Sequence, residues 1–410
     1  MKLFLISKNF FENISIFFLH PFASLSYGEL INFVSMTKRK VIVSVSSDLV
    51  TDNRVHRTCT LLHEMGLDVL LIGRKKKSSP ELGERSYRTK RLVLFFEKGP
   101  FFYMELNIRL FFLLLFRKKH LLYANDLDTL LPNFIVSKLS RSQLIYDSHE
   151  LFTEAPELIH RKKIQSIWLG IERFIFPRLK HIITVNDSIA NAYHERYGKS
   201  LLVIRNIPSQ FQMDHLPSKE ELGIPNNRFI VIMQGAGLNV ERGIEEAVCA
   251  MKELTDVALL LVGDGDAMPA VRKLIQEHQL ENKVFLYGRR PYAEMMQFTS
   301  HADLGLTLDK PLSKNYEFSL PNKLFDYLHA GTPILASRLV ELERVILHYQ
   351  IGTIIDQVDA DSIAQSISYL KENPELLATQ KKNCLNASAS ENWEIEKQKL
   401  HSFIQTVLGE

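Results

Sequence analysis

Cysteine is scarce in this chain: Cys59, Cys249 and Cys384 are the only three, far apart and without a CxxC pair. That excludes a disulfide framework and a thiolate zinc site as organising features. It fits a reducing compartment, most simply the cytoplasm. Also missing is an apolar run able to cross a bilayer. The greasiest stretch, FFYMELNIRLFFLLLFRKK (101–119), is broken by Glu105 and Arg109 and is too short. Net charge is small, at +3, while 46% apolar and 24% charged residues exclude wholesale disorder.

A length of 410 residues suggests two domains, since single cores rarely grow past about 250–300 residues. From Val41 an alternation sets in: VIVSV (41–45), a helical stretch to Gly66, and DVLLIG (68–73), then LLYA (121–124), QLIYD (143–147), HIITV (181–185) and LLVI (201–204). Apolar runs separated by helices predict a parallel sheet covered on both faces. The rhythm lapses at 208–227, a proline-bearing linker, and restarts with RFIVIMQG, VALLLVGDG, KVFLYG, ADLGLTL and PILAS. The expected fold is α/β, two doubly wound Rossmann-like domains (38–207 and 228–390) facing a cleft, with 391–410 as a terminal helix. Ligands of such sheets bind beyond the carboxyl ends of the strands.

Residues 1–37 fit poorly with this pattern. ISIFFLHPF (14–22) has the character of a signal sequence, but His20-Pro21 interrupts it and no small-residue cleavage site follows. Met36 ahead of TKRKVIVSVSS reads as a natural start, so 1–37 is taken as a disordered or spurious extension. The halves differ in charge, with 29 Lys and Arg against 17 Asp and Glu from Lys38 to Arg205, and 19 against 28 from Asn206 onward. A basic half either faces something anionic or only keeps the protein soluble.

SLPNKLFDYLHAGTPILAS (319–337) concentrates several local rules. Pro321 suits a first helical turn, where its missing N–H would be unsatisfied anyway. Free amides at a helix start, with the positive end of the dipole, make an anion site. Asn322 and Lys323 add a donor and a charge, and Asp326 lies about one turn further, placed to accept from a hydroxyl pair. Gly331 stops the helix before the strand. A phosphate beside a diol is what a nucleotide offers, while a helix with an ordinary exposed Asp is the alternative.

The stretch resembles the donor-binding segment of family 4 of the retaining glycosyltransferases, within the large GT-B group. Asp326 takes the place of that family's second, ribose-binding acid; the first acid falls at Phe318, and Glu317 is one position off. QGAGLNVERG (234–243) is similar to the loop that clasps the donor diphosphate, with Gly235 at the strand end, Arg242 matching its second cation and Ala236 in place of its first arginine. KVFLYGRRPYAEM (283–295) resembles the segment against the nucleotide base, around Arg289 and Arg290. In the first half, SSDLVTDNRVHR (46–57) replaces a glycine-rich loop and brings Ser47, Asp52 and Arg54 to the acceptor side. YANDLDTLLP adds Asp126 and Asp128, which hold the acceptor or cap the helix at Thr129. His149 matches a histidine near the donor sugar, or satisfies a core hydrogen bond.

The resemblance implies a transferase moving a sugar from a nucleotide-diphosphate sugar to a glycan or lipid-linked acceptor, in envelope polysaccharide synthesis. Arg242, Lys323 and the backbone around Phe318, Ser319, Leu320 and Asn322 would stabilise the leaving diphosphate. His149 would orient the sugar. No metal and no cofactor beyond the sugar nucleotide are expected, and no nucleic-acid partner. The alternatives are a nucleotide-sugar epimerase on the same fold, or a nonenzymatic sugar-nucleotide binder. The 101–116 segment is either a buried crossover helix or, with its flanking cations, a membrane-surface helix on the cytoplasmic face.

Overall fold

The computed structural model describes residues 38–410 apart from Gln212, Asp214 and Ala236, so the readings of residues 1–37 and of Ala236 fall outside the described residues. Runs of Val, Ile and Leu build strands that are apolar on both faces. β1 (Lys40–Asp48), β2 (Asp68–Lys75), β3 (Arg88–Val93), β4 (Leu121–Asn125), β5 (Gln143–Ser148), β6 (His181–Thr184) and β7 (Leu202–Val203) form one sheet, ordered β3-β2-β1-β4-β5-β6-β7. β8 (Phe229–Gly235), β9 (Val257–Gly263), β10 (Val284–Leu286), β11 (Leu304–Thr307), β12 (Ile334–Ser337) and β13 (Gly352–Ile355) form the other, ordered β10-β9-β8-β11-β12-β13. The β1·β4 and β8·β11 pairings are parallel, and at each the strand order reverses. Such reversals open a crevice at the carboxyl ends of the strands.

Each sheet is sandwiched between two apolar clusters, as helices on both faces require. The segment read as a linker is partly packed, with Ile224 buried in the second domain's core, and Ile207, placed in the first domain by the sequence, packs there too. Helix Trp393–Leu408 returns to the first domain, burying Trp393, Leu400, Ile404 and Val407 against the β1 face. Helix Gly99–Leu115 divides its surface. Phe102, Leu106, Leu110 and Leu114, spaced by four, are buried against the sheet. Phe101, Met104, Ile108, Phe112 and Phe116 are exposed on the outside, Phe116 at 80%. Among the described residues no helix is long and apolar enough to cross a membrane.

Candidate functional site

Two cavities occupy the cleft between the sheets. One, of about 540 Å³, is walled by Gln234, Gly235, Arg290, Lys323 and Asp326 of the second domain and by Asn53 and Arg57 of the first. The other, of about 610 Å³, is walled by Ser47, Asp52, Arg54 and His149 of the first domain and by Phe318, Ser319 and Leu320 of the second. Arg242, Pro321 and Asn322 line both, so the cavities meet at one helix start. Gly235 and Gly263 end neighbouring strands β8 and β9 at φ 139° and 152°, and a Cβ at Gly263 would stand 2.0 Å from the Gly235 carbonyl oxygen. Only glycine lets the two strand ends approach so closely.

The helix start differs in detail from the sequence reading. Pro321 is the N-cap, at φ −63° and ψ 138°, and the helix spans Asn322–Ala330, closed by Gly331 at φ 70°. The amides of Phe318 and Ser319 are not aimed at a ligand. They bond to the carbonyls of Lys314 and Tyr316, at 3.1 and 3.0 Å, closing the short helix Lys314–Glu317. The amides available to an anion begin at Asn322 and Lys323, where no intrahelical carbonyl can reach them. Phe318 packs its ring against the first domain's core, and its carbonyl accepts from Asn186 Nδ2 at 2.6 Å. At the position of the family's first acid, this chain therefore joins its two domains.

Arg242 and Lys323 come together on a residue the sequence reading did not single out. Asp309, just beyond β11, accepts from Arg242 Nη1 at 2.6 Å and lies 3.7 Å from Lys323 Nζ. It is buried at the strand-order reversal, and an acid directly after a buried strand was the available signal. Burial lowers the Lys323 pKa against the opposing pull of Asp309, and the Arg242 charge adds to the lowering. Arg242 also lies over the Tyr316 ring, 5.4 Å from its centroid, and its Nε is buried without a hydrogen bond inside the protein. Arg290 sits at the cavity mouth, donating to the Tyr287 carbonyl at 3.1 Å.

Asp326 is 6% exposed and faces the same cavity. Its carboxylate accepts from the Tyr292 hydroxyl at 2.9 Å and from Gln234 Nε2 at 3.4 Å. Burial raises its pKa to about 6, against the lowering by these hydrogen bonds and by the Arg57 charge.

His149 stands between two carboxylates, with Nδ1 3.2 Å from Asp126 Oδ2 and Nε2 3.5 Å from Asp147 Oδ2. Burial opposes its charge, but Asp126 and then Asp147 outweigh it and hold the pKa well above the usual histidine range. The two carboxylates thus favour the protonated ring, which has no lone pair to act as a base. Asp126 does not cap its helix with its side chain; it also accepts from the His149 amide at 2.8 Å. Its own backbone, at φ 59° and ψ 165°, occupies a region nearly reserved for glycine, a strain that concentrates at functional sites.

The remaining first-domain candidates are less free than their sequence suggests. Arg54 is buried, paired with Asp147 at 2.8 Å and donating to the Ile204 carbonyl at 2.8 Å. Ser47 donates to Asp52, at 2.7 Å, while Asp52 caps helix Asn53–Glu64 by accepting from the Val55 amide. Asp128 is buried away from both cavities, and burial with the neighbouring Asp126 raises its pKa to about 7. Among the described residues no group of three or more His, Cys, Asp or Glu side chains is arranged to hold a metal ion.

Residues 215–386 match the family model described as glycosyl transferases group 1. N-acetyl-alpha-D-glucosaminyl L-malate synthase of Bacillus anthracis is 26% identical over 209 residues, 49% of this chain and 52% of that protein. Lipopolysaccharide core biosynthesis glycosyltransferase LpsD of Rhizobium meliloti is 29% identical over 160 residues, 39% of this chain and 44% of that one. The chain spans about half the length of these curated relatives. Among solved structures, sucrose-phosphate synthase from Thermosynechococcus elongatus superposes with a TM-score of 0.72 at 18% identity, covering 91% of this chain and 100% of that one. Anabaena HepE, solved in complex with UDP and glucose, gives 0.71 at 16% identity, covering 90% and 100%. The fold is that of the GT-B glycosyltransferases.

Proposed function

We propose that this protein is a retaining glycosyltransferase that takes a hexosyl or N-acetylhexosaminyl group from a nucleotide-diphosphate sugar and passes it to a glycan or lipid-linked acceptor. The observation that carries the reading is the junction of the two cavities. Asp326 and Lys323 lie in one, His149 between its two carboxylates faces the other, and Arg242 and Asn322 stand where they meet. A donor laid along this line puts its nucleoside toward Asp326, its diphosphate on the two cations and the helix start, and its sugar toward His149. Two relatives with glycosyltransferase or synthase names, and a neighbour solved with UDP and glucose, support the same assignment.

In the reaction the bond from the anomeric carbon to the β-phosphate oxygen breaks, leaving an oxocarbenium-like sugar. Arg242, Lys323 and the amides of Asn322 and Lys323 stabilise the charge that gathers on the departing diphosphate. The acceptor hydroxyl attacks from the face the diphosphate leaves, and its proton passes to that phosphate oxygen, so configuration is retained. His149 binds and orients the sugar without taking a proton, which favours transfer over epimerisation, whose ring chemistry needs a base. The cations of the protein carry the diphosphate without a metal.

The acceptor side points to a membrane surface. The exposed row Phe101, Met104, Ile108, Phe112 and Phe116, ended by Arg117, Lys118 and Lys119, is an apolar face with a cationic border on the first domain. Such a helix lies in the headgroup plane, and anionic lipids attract each nearby cation by about 1 kcal/mol. The protein would then act as a peripheral enzyme of the cytoplasmic membrane face. Thermal unfolding against a panel of nucleotide sugars tests the donor assignment. A donor at 100 times its Kd adds about 2.7 kcal/mol; a panel in which none raises the Tm contradicts the reading.

A further inference from the structure

One half-buried cation of the first domain faces the nucleotide cavity with no acid at ion-pair distance. Arg57 follows Asn53 by one turn on helix Asn53–Glu64, and both line the cavity that holds Asp326 and Lys323. Its Nη2 donates to Asn206 Oδ1, and its guanidinium lies 5.4 Å from the centre of the Trp393 ring. Its Nε is buried and makes no hydrogen bond within the protein. The adjacent Arg54 is neutralised by Asp147, and Arg242 and Lys323 share Asp309. Among the described residues Arg57 has no such carboxylate within ion-pair distance. Burial and the Arg54 charge lower its pKa to about 10, against smaller opposing pulls from Tyr292, Asp52 and Asp326, so it stays charged at neutral pH.

A desolvated guanidinium with an unpartnered Nε and no carboxylate in contact is stabilised when an anion arrives. The anion that belongs in this cavity is the diphosphate, because Asp326 repels anions and accepts from hydroxyls. We propose that Arg57 binds a phosphate oxygen of the donor diphosphate from the first-domain side. Cations of both domains then meet one ligand, Arg57 from the first and Arg242 and Lys323 from the second. The inference rests on the nucleotide-sugar reading and adds to it a residue outside the matched 215–386 segment.

The test titrates UDP and GDP into the full chain as wild type, Arg57→Met and Arg57→Lys, at low and high salt. Arg57→Met keeps an unbranched stem against Trp393, and thermal unfolding verifies that each variant is folded. The expected result is at least a tenfold loss of nucleotide affinity in Arg57→Met, a partial recovery in Arg57→Lys, and a shallower decline with salt, because one fewer charge contact is screened. Unchanged affinity in Arg57→Met overturns the proposal. So does a tenfold loss with the salt dependence of wild type, which marks a packing role. If wild type binds neither nucleotide, the donor reading fails and this proposal fails with it.

Discussion

Replacing Asp326 with Asn should make the protein more stable and a poorer nucleotide binder at once. Burial lifts this carboxyl from an ordinary 3.8 to about 6. A group whose folded pKa lies above its unfolded one favours folding while protonated and loses that contribution as pH rises through the folded value. The difference of roughly two pH units, at about 1.36 kcal/mol each, makes the cost on the order of 3 kcal/mol above pH 7. Asn stays neutral and can still meet Tyr292 and Gln234, the two partners of the carboxylate. The advantage of Asp326→Asn should grow from near pH 4 to about 7 and then level off. In thermal unfolding it should reach roughly 6–12 °C, from 2–4 °C per kcal/mol in a domain of this size. Nucleotide affinity should fall at least tenfold, since hydrogen bonds to a charged acceptor are worth about 1.5–3 kcal/mol. In wild type, affinity should also decline below about pH 6, and in the variant it should not. A stability advantage over wild type no larger at pH 8 than at pH 4 refutes the account of the buried charge, and undiminished nucleotide affinity refutes the ribose role.

Turnover should survive excess EDTA; full loss restored by magnesium or manganese contradicts a diphosphate carried by protein cations. Anionic vesicles should co-sediment the protein at low salt and release it as the Debye length falls from about 10 Å toward 3 Å, and Phe112→Asp with Phe116→Asp should weaken this. Equal binding to neutral and anionic vesicles would count against the membrane face. Asp126→Asn removes the first carboxylate holding the His149 charge, so its pKa should fall back toward the usual histidine range. The rate of this variant should then drop as pH rises through the usual histidine range, whereas the wild-type rate should hold to higher pH.

Strands were the most legible level of this structure, because β-branched runs with no polar alternation leave few other folds. The helix start at Asn322 was legible too, since proline, a cation and an acid one turn later obey local rules that packing does not override. Asp309 was hidden because a lone acid after a strand resembles any loop residue until the crossover places it between Arg242 and Lys323. Arg54 and Arg57 show the limits of reading a motif without its helical phase. Arg54 shares a face with Thr58, Leu61 and Leu62 and is spent on Asp147 in the wall of one cavity, while Arg57 shares one with Asn53 and turns to the other. The amides of Phe318 and Ser319 looked free because the short helix Lys314–Glu317, which consumes them, carries too little pattern to be seen in sequence.

On the proposed mechanism, Arg242 and Lys323 hold the diphosphate of a nucleotide sugar as its bond to the sugar breaks. The most direct measurement is release of nucleoside diphosphate from the stabilising donor by wild type, Arg242→Ala and Lys323→Ala. Each variant, folded as judged by thermal unfolding, should turn over at least about 100-fold more slowly, the size of effect expected for a lost transition-state charge contact. Near-normal turnover in both variants, or no release by wild type from any donor, would contradict the account.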